Sequence, residues 1–114
     1  KLKDLYGLTK TLGMEALIEV HDEKELKIAE SIGARLIGIN NRNLESFKTN
    51  LGVSIRLAPL VSKGVKVVSE SVIKTREDIV QLSSFGLNAF LIGEGLITEK
   101  NIKKAIKTLL GMRV

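Results

Sequence analysis

Four times in this 114-residue chain a short apolar run ends in polar or glycine-containing residues, and an amphipathic helical pattern follows. That recurrence constrains the fold more than any single motif. Strands that alternate with helices form a parallel sheet with the helices packed outside it. The clearest instance is Leu36-Ile37-Gly38-Ile39-Asn40-Asn41-Arg42-Asn43-Leu44. Leu and Ile favour a buried strand, and Asn-Asn-Arg-Asn stops it because those residues prefer turns. Polar groups at the C-terminal end of an apolar strand are where α/β proteins keep their chemistry.

In chain order, a first helix is expected over residues 2–12. It carries Leu2, Leu5, Thr9 and Leu12 at spacings of three and four, Tyr6 half-buried and Gly13 as its stop. Ala16-Leu17-Ile18-Glu19-Val20-His21 reads as a strand. Asp22 then caps a helix, with Glu25 three positions on as in a capping box, a stripe of Leu26, Ala29 and Ile32, and Gly33 at its end. Leu36 to Asn40 is the second strand. Residues 54–61 read as a helix that Pro59 ends or kinks near Ala58. Val65-Lys66-Val67-Val68-Ser69 is the third strand and runs into Glu70-Ser71-Val72. Thr75 caps the next helix, Glu77 and Asp78 lie in its first turn, and Gly86 stops it. Ala89-Phe90-Leu91-Ile92 is the fourth strand, Gly93-Glu94-Gly95 follows as a turn, and Thr98 opens the last helix with its stripe of Ile102, Ala105, Ile106, Leu109 and Leu110. Met14 and Met112 read as gap-fillers, and His21, the only histidine, as a rim or surface residue.

Alternating strands and helices fit an open doubly wound sheet or part of a closed barrel. Strand parity separates the two. Leu17 with Glu19, Gly38 with Asn40, Val68 with Glu70, and Leu91 with Gly93 each share a face. That face is apolar or small low down and polar or Gly at the C-terminal end, with Glu19 and Glu70 in register with Asn40. Ile18, Val20, Ile37, Ile39, Val67, Phe90 and Ile92 form the opposite, helix-covered face. A small inner face with functional groups at its rim is the arrangement of a (β/α)8 TIM barrel. Four strands cannot close one, so residues 1–114 read as a single region: the fifth to eighth βα units of a barrel, preceded by its fourth helix. The chain opens at Lys1 rather than Met, and an upstream part is expected.

Composition narrows the function classes. Without cysteine there is no disulfide, zinc-thiolate site or thiol nucleophile. No apolar run approaches the roughly 18 residues of a membrane span, and a cytoplasmic protein with no membrane partner is expected. The net charge of +5 gathers in Lys100, Lys103, Lys104, Lys107 and Arg113, on the outer face of the last helix. No aromatic residues are interleaved for stacking, so a solvated helix face is expected rather than a nucleic-acid partner.

Two kinds of chemistry can be read from the strand ends. One is a phosphate cradle, from Gly93-Glu94-Gly95 and from Glu70-Ser71-Val72-Ile73-Lys74, because barrels commonly bind phosphate at the loops after their last two strands. The other is an acid–base group of Glu19 and Glu70, with Asn40, Arg42 and Ser71 as donors. Carboxylates in a partly closed barrel mouth can be raised toward neutrality.

The segments Ala16-Leu17-Ile18-Glu19-Val20-His21-Asp22, Ile37-Gly38-Ile39-Asn40-Asn41-Arg42-Asn43-Leu44, Val68-Ser69-Glu70-Ser71 and Phe90-Leu91-Ile92-Gly93-Glu94 together resemble indole-3-glycerol-phosphate synthase. Ile-Asn-Asn-Arg-Asn-Leu is the most specific of them. The resemblance implies a carboxy-lyase of tryptophan biosynthesis. It would close 1-(2-carboxyphenylamino)-1-deoxyribulose 5-phosphate to indole-3-glycerol phosphate with loss of carbon dioxide and water. By resemblance Glu19 is an acid–base or charge-stabilising group. Glu70 binds the sugar hydroxyls and stabilises cationic character, Asn40 and Ser71 orient the substrate, and Arg42 lines the mouth. Backbone at Ser71 and Val72 and at Gly93 and Glu94 holds the phosphate, and no metal or organic cofactor is implied. Two departures bear on that phosphate. Val72 stands where the family carries Gly, which puts the turn in question, and Gly95 replaces a Ser whose hydroxyl contact is expected to be lost. The family's general-acid Lys and its other phosphate-contacting Lys lie in the front four units, so the isolated chain is expected to have little or no activity. The implied partners are the phosphorylated substrate and an N-terminal half-barrel. A rival reading is a non-catalytic half-barrel that pairs with a second copy and binds a phosphorylated ligand. A third is another phosphate-binding barrel enzyme, such as an isomerase of histidine or tryptophan synthesis, against which Asn-Asn-Arg-Asn argues.

Overall fold

A computed structural model of the chain describes residues 1–42, 51–87 and 89–113. Asn43 and Leu44, the end of the Asn-Asn-Arg-Asn-Leu motif, lie outside them, as does Asn88. The elements run α1 (Leu2–Thr11), β1 (Ile18–Val20), α2 (Glu23–Ser31), β2 (Leu36–Asn40), α3 (Gly52–Leu57), a 3-10 turn (Ala58–Leu60), β3 (Lys66–Glu70), α4 (Arg76–Ser83), β4 (Ala89–Leu91), α5 (Glu94–Ile97) and α6 (Ile102–Leu109). The strands form one sheet in the order β1-β2-β3-β4, every neighbouring pair parallel. A doubly wound sheet reverses its strand order at the switch point; here the order never reverses, as in successive units of a (β/α)8 barrel.

Local chemistry sets most boundaries where the sequence places them. Asp22 accepts from the Glu25 N–H at 2.8 Å. Thr75 and Asp78 form a full capping box on α4, and the helix before Pro59 tightens to 3-10 at Ala58. Three expectations change. The Glu25 carboxylate reaches past Asp22 to the His21 N–H, at 2.8 Å. Thr98 does not open the last helix: it ends the single-turn α5, its hydroxyl donating to Glu94 O at 2.9 Å, while Asn101 caps α6. Gly93-Glu94-Gly95 is accordingly the start of α5 rather than a free turn.

Among the described residues the core lies on one side of the sheet. Val20, Ile37, Ile39 and Val67 pack under Leu26 and Ala29 of α2, Leu57 of α3, Ile79 and Leu82 of α4 and Leu109 of α6. Both flanks of this layer are open. Leu2, Leu5 and Leu8 of α1 and Leu12 just after it are exposed, as are Ile102 and Ile106 of α6 and Leu110 just after it. The two methionines expected to fill gaps, Met14 and Met112, are exposed on the same flanks. Tyr6, expected half-buried, is 7% exposed. It docks α1 through a hydrogen bond from its hydroxyl to Gly33 O at 3.2 Å. No helix among the described residues is long and apolar enough to cross a membrane.

Buried polar side chains tie the sheet to α3. Asn41, fully buried, donates through Nδ2 to Ser69 Oγ at 2.9 Å, Glu70 O at 3.0 Å and Ser71 O at 3.2 Å. Its Oδ1 accepts from the Ser54 hydroxyl at 2.8 Å and the Ser54 N–H at 3.2 Å. The Ser54 and Ser69 hydroxyls meet at 2.7 Å. Truncating Asn41 strands several of these groups without water, and an unsatisfied buried group costs roughly 1–3 kcal/mol. Asn41→Ala is therefore expected to lower the unfolding free energy by about 3 kcal/mol in urea titrations, with little change in the denaturant slope. A loss under about 1 kcal/mol would show the network to be dispensable.

Candidate active site

The uncovered face of the sheet carries the functional side chains in layers. Glu19 of β1, Gly38 of β2, Val68 of β3 and Ala89 of β4 are paired across one level; Asn40, Glu70 and Leu91 are paired across the next level toward the rim. Glu19 is thus in register with Gly38, not with Asn40 as the strand pattern suggested. The Asn40 Nδ2 nevertheless donates to Glu19 Oε1, because the longer carboxylate reaches up one layer. Asn40 Oδ1 accepts from the Arg42 N–H at 2.8 Å, folding the chain back over the strand end.

Gly38 is what lets the two carboxylates share this space. A Cβ there would lie 2.7 Å from Glu70 Oε1 and 2.8 Å from its Cδ. The Glu70 side chain therefore leans across β2 into room that any other residue would fill. Glu70 is 6% exposed, and no donor among the described residues reaches its carboxyl oxygens. Burial raises its pKa above the ordinary carboxylate value, the charge on Glu19 raises it further, and His21 partly opposes both.

The turn after β3 forms in spite of Val72. Ser71 and Val72 take φ of 69° and 72°, a region where a β-branched residue is a true outlier and each L-residue costs roughly 1–2 kcal/mol. Asn41 Nδ2, holding Glu70 O and Ser71 O, is the interaction that keeps this path. Gly95 allows the last rim to close on this turn, since a Cβ at that position would stand 3.2 Å from Ile73 O. Arg42 Nη2 lies 3.4 Å from Glu94 Oε2 across the mouth, with both side chains in solvent.

These rims enclose one open cleft of about 880 Å³. Glu19, Asn40, Arg42, Glu70, Ser71, Val72, Gly93 and Glu94, the eight residues singled out from the sequence, all line it. Lys74, the last residue of the segment read as one side of the phosphate cradle, lines it too. Gly38 and Asn41 were not singled out as site residues, although both sit in the motif: one acts by lacking a side chain, the other from beneath the floor. A buried carboxyl beside a second carboxyl and an amide can exchange protons with a substrate and stabilise positive charge, and the rim turns present backbone N–H groups.

The Glu70 shift gives a signed expectation. With its folded-state value above 4.5, the folded protein holds the proton more tightly than the unfolded chain. The stability this confers is complete below that value and is lost as pH rises through the folded-state value. Glu70→Gln removes the effect. In paired urea titrations the variant should gain on the parent as pH rises from the ordinary carboxylate range through the folded-state value, then run parallel. A difference independent of pH would contradict the shift.

A profile of the indole-3-glycerol phosphate synthase family matches residues 1–109. A relative named indole-3-glycerol phosphate synthase from Carboxydothermus hydrogenoformans is 48% identical over 111 residues, 96% of this chain and 42% of the relative. One of the same name from Nautilia profundicola is 44% identical over 110 residues, 96% of this chain and 43% of the relative. The chain spans about two fifths of the length of these curated relatives. Among solved structures, the N-acetylmannosamine-6-phosphate 2-epimerase of Clostridium perfringens matches with a TM-score of 0.69 at 18% identity, over 97% of this chain and 48% of that one. The BexX/CysO complex of Amycolatopsis orientalis matches with a TM-score of 0.65 at 19% identity, over 96% and 47%. At such identities the likeness speaks for the fold alone.

Proposed function

The chain belongs to the indole-3-glycerol phosphate synthase family, and from that premise we propose that it supplies the C-terminal half of such a site and turns over substrate only beside a front half-barrel. The observation that carries this is the convergence of Glu19, Asn40, Glu70 and Ser71 on one cleft, at the strand ends of a sheet whose inner face and two flanks are open. The substrate is 1-(2-carboxyphenylamino)-1-deoxyribulose 5-phosphate and the setting is cytoplasmic.

Ring closure needs a proton on the ketose carbonyl oxygen and a counter-charge for the cation formed as the aromatic carbon attacks. Carbon dioxide then leaves the ring carbon, and dehydration needs an acid at the departing hydroxyl and a base at the ring carbon. Glu19, held by Asn40, serves as the acid–base group. Glu70, raised by burial, takes the sugar hydroxyls and faces the cationic centre. Ser71 and Asn40 orient the substrate, Arg42 closes the mouth, and the backbone at Ser71, Val72, Gly93 and Glu94 cradles the phosphate. The steep positive-φ turn favours this cradle, since successive N–H groups in such turns point at one anion. A second copy of the chain is the other candidate to cover the apolar flanks, and solution mass separates the two.

Indole fluorescence follows turnover directly. The chain alone should be nearly silent, and adding a front-half chain should restore activity. In that complemented enzyme Glu19→Gln should cut kcat by roughly 100-fold or more while leaving the urea midpoint close to the parent's. Unchanged turnover would remove the acid–base role from Glu19, and a stable twofold assembly with phosphate affinity and no complementation would favour the second copy.

A further inference from the structure

His21 is the chain's only histidine, and its ring lies between two carboxylates. Its Nδ1 is 3.0 Å from Glu25 Oε1, the same oxygen that accepts the His21 backbone N–H. An ionised carboxylate only accepts, so Nδ1 carries a proton and donates. The other ring nitrogen, Nε2, is buried and makes no hydrogen bond among the described residues. Its polar neighbour is Glu19 Oε1 at 3.4 Å, the oxygen that also takes the Asn40 amide. A bare Nε2 lone pair facing a carboxylate oxygen is repulsive. The contact becomes favourable when one proton lies between them, on either atom.

We propose that His21 is a positioning residue that holds a transferable proton at Glu19. This rests on the acid–base reading of Glu19. Glu25, planted in the first turn of α2, fixes the ring and its tautomer, in the way a carboxylate orients a catalytic imidazole. When a substrate oxygen takes the shared proton through Glu19, that proton leaves Nε2 and the imidazolium becomes the neutral Nδ1–H form, with Glu19 left as the carboxylate. When Glu19 later takes a proton from the ring carbon, it passes to Nε2 and the imidazolium is restored. Among the described residues the charged groups against the ring are Glu19 from β1 and Glu25 from α2, and the Glu70 carboxyl of β3 also feels the charge of the ring. Among the described residues no three such side chains are arranged to hold a metal ion.

The ring needs no assignment, so nitrogen NMR of the chain itself reads the tautomer. At a pH where the ring is neutral, the proton should sit on Nδ1. Glu25→Ala should return it to Nε2, the tautomer that an unconstrained histidine side chain prefers. A parent ring protonated on Nε2 with Nδ1 bare would overturn the proposal. In the complemented enzyme, His21→Gln keeps a donor toward Glu19 but no transferable proton. It should lower kcat about 10-fold or more, leave KM within about twofold, and displace the acid limb of the kcat profile. An unchanged kcat and profile would also overturn it. If the parent complemented enzyme shows no turnover, the proposed function fails, and the tautomer still decides where His21 holds its proton.

Discussion

The buried amide of Asn41 is the interaction on which the remaining rim geometry depends. One side chain satisfies the backbone at the end of β3, the strained turn after it and the start of α3. Few other residues could do this. Aspartate lacks the donors that hold Glu70 O and Ser71 O. Because these bonds are shielded from water, each is worth more than a surface bond, and each is costly to leave unmade. The same hold permits Val72 at a φ that valine disfavours, so strain at the rim is offset from below.

Above that floor the site is made by subtraction. Gly38 removes a side chain and Glu70 fills the gap, which brings a buried carboxyl over β2, the strand beside Glu19. The low exposure of Glu70, more than any single charge, raises its pKa. Asn40 and His21 then set the direction of Glu19 from two sides. The outer layers point the same way. Among the described residues the helix packing lies under one face of the sheet, and the leucines of α1 and isoleucines of α6 stay exposed.

Much of this was legible in the residues. Period-two alternation placed Glu19, Asn40 and Glu70 on one face. Asp22 and Thr75 announced their helices, and Pro59 marked the tightening at Ala58. What was not legible arises from contacts distant in sequence. Parity assigns a face but not a level, so the offset between Glu19 and Asn40 emerged only from the pairing of β1 with β2. Asn41 reads as one more turn-former, and only its bonds to residues 13 to 30 positions away show it to be structural. Tyr6 read as only half-buried because its partner, Gly33, follows a different helix. Thr98 and Asn101 are both good caps, and sequence alone does not rank them.

The central claim is that four strand ends present a single substrate surface. Amide chemical-shift mapping of the chain, titrated with indole-3-glycerol phosphate, tests it most directly. The account predicts shifts gathered at the ends of β1 to β4, from Glu19 through Asn40 and Ser71 to Gly93. Shifts centred on the helix-covered side, or none at millimolar ligand, would contradict it.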